Sequence, residues 1–193
     1  MGPKKRTLHL LAARARNIGE RIDAVNKASD KPVTCKRGCA HCCYQAIFAT
    51  AAEAAEIYRA HGATVEALLP AIRAQASAYA GLAVGTGLEQ GLQTGADVMA
   101  LICAPWWARH EACAFLDLAT NECRIYASRP VACRAYQVVS DPVHCGTQDA
   151  HEVEIASVDK YEVAKALDWA NAGQPVAKPL AMAVLEVRKE MRR

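Results

Sequence analysis

The chain has 193 residues, 52% of them apolar but only 6% aromatic, and a formal net charge of +3. That length can bury a core without covalent staples, and an alanine-rich, aromatic-poor composition favours helices over a β sandwich. The small charge excess sits at the two ends, at Lys4, Lys5 and Arg6 and at Arg188, Lys189, Arg192 and Arg193; with no aromatics interleaved among those bases, it argues against nucleic acid as a partner.

In chain order, the apolar run 8–13 contains His9 and meets Arg14, which is no secretory pattern, and the longest apolar stretch, 98–108, holds Pro105 and falls short of the roughly 20 residues of a bilayer span. A cytoplasmic protein without membrane attachment is expected. Leu8, Leu11, Ala12, Ala15, Ile18, Ile22 and Val25 recur at steps of three and four, predicting an amphipathic helix over 7–28. Pro32 and Gly38 then mark 30–44 as irregular. Thr50 with Glu53 three residues on predicts a capping box, for a helix over 50–61 ending at Gly62. A second cap at Thr64 opens a helix to about Ala80, with a kink or break at Pro70. The glycines of 81–95 form a loose connection without the lysine of a phosphate loop, and 95–103 reads as helix ending before Pro105. Trp106 and Trp107 are expected to cover the core.

The segment 113–126 predicts a small β hairpin. Ser128 and Pro130 then start a short helix that carries Cys133, and Cys145 falls in the polar loop beyond. Residues 152–155 read as extended, 159–171 as helix, and 179–191 as a last amphipathic helix on Leu180, Val184, Leu185 and Val187. The fold class is thus mainly α: a compact helical domain with a small β hairpin, one domain over 1–193, held by a cysteine-ligated metal centre. The metal-binding region spans 35–145, between the N- and C-terminal helices.

The chemistry lies in nine cysteines. In a reducing compartment such thiols are metal ligands more often than disulfides, and the odd count agrees. Four crowd into nine positions: Cys35, Cys39, Cys42 and Cys43. Together with Cys113, Cys123, Cys133 and Cys145 they are enough for two four-thiolate sites, of zinc or of an iron–sulfur cluster. Adjacent Cys42 and Cys43 cannot easily point one way, so they either serve two neighbouring ions or divide into one ligand and one bystander. Cys103, inside an apolar run, is expected to be a buried core thiol, while His41 and His144 stand beside ligands and could each replace a thiolate. The excess charge of thiolate ligands needs compensation. Lys36, Arg37, Arg124, Arg129 and Arg134 adjoin the cysteines, with Arg129 and Arg134 the favoured donors.

The pattern Cys35-x3-Cys39-x2-Cys42-Cys43, then Cys113-x-Phe-Leu-Asp, then Cys123-x-Ile-Tyr-x2-Arg129-Pro130-x2-Cys133-Arg134-x-Tyr136 resembles the cysteine-cluster family described as a zinc- or iron-chelating domain, over about 35–145. The resemblance implies a compact, cysteine-ligated metal centre and no settled reaction. The spacing of Cys35, Cys39 and Cys42 also matches radical enzymes that bind S-adenosylmethionine, but the strand signals are too few for their barrel. Three function classes follow: a metal-binding protein that senses, holds or passes metal, an iron–sulfur enzyme (an oxidoreductase or a protein methylase), and a protein-interaction module fixed by structural zinc. The implied partners are a metal ion or cluster and, for the third class, a protein. No acid, base or nucleophile is placed well enough to decide whether the chain is an enzyme.

Overall fold

The computed structural model describes residues 3–83, 99–146, 152–156 and 177–193, and it is mainly helical. The predicted helix 159–171 and most of the glycine-rich connection lie outside those residues.

Helix α1 (Pro3–Lys27) buries Leu11, Ala12, Ala15, Ile18 and Ile22, the stripe its periodicity announces. Its last turn departs from the pattern. Val25 is 47% exposed while Asn26 is 4% exposed, because Asn26 Nδ2 donates to the Arg134 carbonyl at 2.9 Å and so turns its own side of the helix inward.

Helix α2 (Ala51–Ala67) starts on the expected capping box: Glu53 N donates to the Thr50 hydroxyl at 3.2 Å, and Thr50 N to Glu53 Oε2 at 2.7 Å. It does not end at Gly62. The backbone kinks at His61 (φ −130°, ψ 30°) and the helix continues to Ala67, so Thr64 lies inside it rather than capping the next one. The chain turns at Leu68, which places Pro70 in the first turn of α3 (Leu69–Ala83), where a missing N–H costs no helical bond. The predicted break is therefore real but lies two residues earlier.

A single wide turn (Met99–Cys103) runs directly into α4 (Ala104–Arg109), so the helical path continues past Pro105, which again occupies a first turn. Trp106 is 1% exposed and stacks on Tyr79 of α3 at 3.8 Å between ring centroids; Trp107 is only half-buried.

The hairpin consists of β2 (Leu116–Asp117) and β3 (Glu122–Cys123), antiparallel, with Leu116 opposite Cys123. Asn121 takes a left-handed conformation in its turn (φ 56°), which asparagine tolerates. Helix α5 (Val131–Ala135) carries Cys133, but Ser128 does not cap it. The capping acceptor comes from far away in sequence: Val131 N donates to Glu53 Oε1 at 2.6 Å. Of the stretch 152–155 expected to be extended, Ile155 forms an isolated antiparallel bridge to Val138, whereas Glu152 lies in a helical turn.

One pairing left no trace in the sequence. Strand β1 (Phe48–Ala49) runs antiparallel to β4 (Lys178–Pro179), which leads straight into α6 (Leu180–Met191). The core joins α1, α2, α3 and α6 around Ile57, Val65, Ile72, Phe115, Ile125, Leu180, Val184 and Val187, with Leu185 packed at its edge. Phe115 and Ile125, which flank the hairpin, enter the same core as the long helices. The cysteine-bearing segments are thereby docked onto the helical body.

Gly19 illustrates how closely α1 meets α5. A Cβ there would lie 2.9 Å from Arg134 Nε, and that guanidinium is not free to retreat, since it also bonds Asp23 and the carbonyls of Ala127 and Arg129. Glycine to alanine normally stabilises a helix interior. Here Gly19→Ala is expected to destabilise by about 1–3 kcal/mol through overpacking, read as a lower urea midpoint at unchanged m-value.

Candidate metal centre

Four segments bring the cysteines together, each for a local reason. Between Cys35 and Cys39 the chain makes a tight turn: Cys39 N donates to the Lys36 carbonyl at 3.0 Å, and Gly38 at φ 89° occupies the turn position that requires a positive φ. The short turn His41–Tyr44 follows and carries both Cys42 and Cys43. Cys113 is held by this loop, since its N–H donates to the Cys43 carbonyl at 2.8 Å. Gln75 of α3 holds the residues on either side of it: Gln75 Nε2 donates to the Ala112 carbonyl at 3.0 Å and Ala114 N to Gln75 Oε1 at 3.3 Å. Cys123 ends the hairpin, and Arg37 of the first loop pairs with the neighbouring Glu122 at 2.8 Å.

Cys133 rides on α5, whose start is fixed by Glu53 and whose end is fixed by Asn26. Cys145 is in the short turn Pro142–Gly146 and is buried; Gln45 Nε2 donates to its carbonyl at 3.4 Å. Cys35 is anchored from the same side, as Val138 N donates to its Sγ at 3.3 Å and Thr34 N to the Val138 carbonyl at 2.9 Å.

Sequence reasoning missed Gln75, Asn26 and the long reach of Glu53. They share one signal. Each is a polar residue that is more than nine-tenths buried on a helix face otherwise apolar, and a buried polar group must find a partner. Each finds it in a segment bearing a cysteine.

The electrostatics show how near the sulfurs are to one another. The Cys43 thiol donates a hydrogen bond to Cys42, which lowers the Cys42 thiol to about 7 and raises that of Cys43. Cys42 is thus the first of the group to ionise, and its charge is felt by each of Cys35, Cys39, Cys43, Cys113, Cys123, Cys133 and Cys145. Burial pushes Cys113 up to about 12 and Cys145 up to about 11, with the neighbouring thiols adding to the rise. It also raises Cys35, Cys39 and Cys123, and takes Cys133 well above the ordinary thiol value.

Within this gathering Cys42 acts on both sides, and the other clustered thiols fall into two neighbourhoods. Cys145 responds to Cys35 and Cys39, whereas Cys133 responds to Cys113 and Cys123, and Cys43 to Cys113 and Cys133. Cys103 stands apart, half-buried rather than the buried core thiol expected, and raised by desolvation alone. As they stand, no three His, Cys, Asp or Glu side chains among the described residues are arranged to hold one ion. The thiols are therefore neighbours rather than a finished cage, and a set this soft and dense suits a thiophilic metal.

The basic residues divide in a way the sequence does not reveal. Arg129 lies over the Tyr126 ring at 3.8 Å, and its charge favours the thiolates of Cys35, Cys42, Cys123 and Cys133. Lys36 does the same for Cys39. Arg134, expected to share this task, instead turns away toward Asp23 on α1, because the Glu53 and Asp23 carboxylates both lie on that side. Arg124 pairs with Asp117 at 2.9 Å. His144 Nδ1 contacts Glu152 at 2.6 Å, while His41 lies exposed against Gly146.

Among the described residues no helix is long and apolar enough to cross a membrane. No curated protein and no solved structure matches the chain. A family model does, over residues 34–161: CxxCxxCC, "Putative zinc- or iron-chelating domain". The name spells two residues between its first cysteines where this chain has three. With all eight clustered cysteines inside the matched span and the fold converging them, the chain belongs to the zinc- or iron-chelating CxxCxxCC family.

Proposed function

We propose that the protein binds zinc or iron in two adjoining four-thiolate sites, one from Cys35, Cys39, Cys42 and Cys145 and the other from Cys43, Cys113, Cys123 and Cys133. The observation that carries this reading is the way hydrogen bonds draw the cysteine-bearing segments together, Cys113 N to the Cys43 carbonyl at 2.8 Å on one side, and Val138 N to Cys35 Sγ at 3.3 Å and Gln45 Nε2 to the Cys145 carbonyl at 3.4 Å on the other. Vicinal Cys42 and Cys43, hydrogen-bonded to each other here, would part on loading, one to each site. Eight thiolates on two divalent ions leave a large negative excess, and Arg129 and Lys36 are placed to offset part of it. Metal bound there supplies thiolate-coordinated Zn²⁺ or an iron centre able to exchange electrons. In either case it ties the early loop to the hairpin, to α5 and to the turn around Cys145.

The test is elemental analysis of protein purified under nitrogen, with the visible spectrum separating brown iron–sulfur protein from colourless zinc protein. Cys42→Ser and Cys43→Ser are each expected to lower bound metal by roughly half, and Cys103→Ser to leave it unchanged. If neither vicinal change lowers the metal content, the two-site reading fails.

A further inference from the structure

Two clefts open beside the cysteines, and they differ in charge. The first, about 420 Å³, reaches Cys35 and is lined by Lys27, Lys31 and Arg129 against one carboxylate, Asp23. The second, about 280 Å³, is lined by His41, Tyr44, Trp107, His110 and Asn121, and by no Asp, Glu, Lys or Arg. Three more of its lining residues, Gly38, Ala40 and Gly146, adjoin Cys39 and Cys145, as His41 adjoins Cys42 and Tyr44 adjoins Cys43. The second cleft therefore lies against the backbone that carries Cys39, Cys42, Cys43 and Cys145.

We propose that a divalent cation reaches the thiols through this second cleft, with His41 and His110 as its first, transient ligands. The inference rests on the metal-binding reading and adds the route. Even with Lys31 paired to Glu154 at 2.5 Å and Asp23 in its lining, the first cleft keeps a net positive charge that repels a dication, whereas no charged side chain lines the second. Neutral imidazole binds zinc, iron and cobalt without supplying the charge that would trap them, so it can hand the ion on to thiolates that bind more firmly.

Two further features fit a built passage. His110 stacks on Tyr44 at 4.4 Å with the rings nearly parallel, at 6°, which fixes the plane of its imidazole. All three residues with left-handed backbone among the described residues, Gly38 (φ 89°), His110 (φ 49°) and Asn121 (φ 56°), line this one cleft, and unusual backbone tends to gather where a ligand is handled.

The experiment mixes reduced protein, stripped of metal, with Co²⁺ and follows the thiolate-to-cobalt absorption by stopped flow. The variant is His41→Ala combined with His110→Asn, asparagine being chosen because it accepts the left-handed conformation. Circular dichroism of each variant confirms that the helices are retained. Uptake is expected to slow several-fold, with the same final spectrum and stoichiometry as the unaltered protein, while Lys31→Glu leaves the rate unchanged. An unaltered rate in the histidine variant overturns the proposal, and so does acceleration by Lys31→Glu, which would place entry at the first cleft. A fall in final stoichiometry overturns it too, by making a histidine a resident ligand. If the unaltered protein takes up no cobalt, zinc or iron at all, the metal-binding reading itself fails; normal binding with an unaltered rate removes the route alone.

Discussion

Glu53→Ala is expected to cost the fold about 2–4 kcal/mol, among the largest effects of any single change, although the residue touches no cysteine. Its carboxylate accepts from Thr50 N, from the Thr50 hydroxyl and from Val131 N, at 2.7, 2.8 and 2.6 Å, and is 6% exposed. Alanine removes the carboxylate half of the α2 capping box, leaving the Thr50 hydroxyl to accept from the backbone N–H of residue 53, and strands the Val131 N–H at the start of the Cys133 helix in a place water does not reach. Glutamine is a sharper probe. It keeps the size but turns an NH₂ toward one of those donors, so part of the loss should persist.

Burial outweighs these donors and raises the Glu53 carboxyl above its ordinary 4.5. The folded chain thus takes up this proton more readily than the unfolded one, so the group's contribution to stability is full below 4.5 and is lost as pH rises through the folded value. Urea melts between pH 4 and 7 should show Glu53→Gln with a flatter pH dependence over that interval. A steeper fall in stability on acidification of the unaltered protein relative to the variant would contradict the assignment.

Metal binding at pH 7 is expected to release about seven protons per chain when two zinc ions occupy the eight thiolates. Cys42, near 7, is already partly ionised, whereas the other seven thiols are raised above their ordinary value and still carry protons. Calorimetric titrations in buffers of different ionisation enthalpy give the number directly. The same protons make affinity fall as pH drops, because each must be displaced before its sulfur can bind. Release of only three or four protons would mean that one four-thiolate site fills and the other does not.

These expectations also show which parts of the molecule could be read from the chain. The helices with a continuous apolar stripe were legible, and so was the capping box at Thr50, because both are local: periodicity and a three-residue spacing carry them. The hairpin was legible for the same reason. What the sequence concealed is non-local. The pairing of Phe48–Ala49 with Lys178–Pro179 is two residues long and has no pattern to display. The continuation of α2 past Gly62 depends on packing Val65 into the core, which overrides the glycine's preference for a helix end. Arg129 and Arg134 look alike in the sequence, five residues apart. Only the position of Asp23 on a distant helix decides that one faces the thiols and the other does not. At the site, the cysteines could be named as candidates, while the clamps at Asn26, Glu53 and Gln75 required knowing which helix faces which loop.

The short pairing of β1 with β4 bears on the order of events during synthesis. Leu180 N donates to the Ile47 carbonyl at 2.8 Å, and the strand beside it holds the chain just after Cys42 and Cys43. Lys178 is translated 33 residues after Cys145 (178 − 145), an interval of a few seconds at roughly 5–20 residues per second. All eight clustered cysteines are therefore synthesised before the strand that pins the first loop exists. Until then the segment that follows Cys42 and Cys43 lacks the pairing that fixes it in the finished fold, so the first cysteine loop is among the last parts of the molecule to be locked in place.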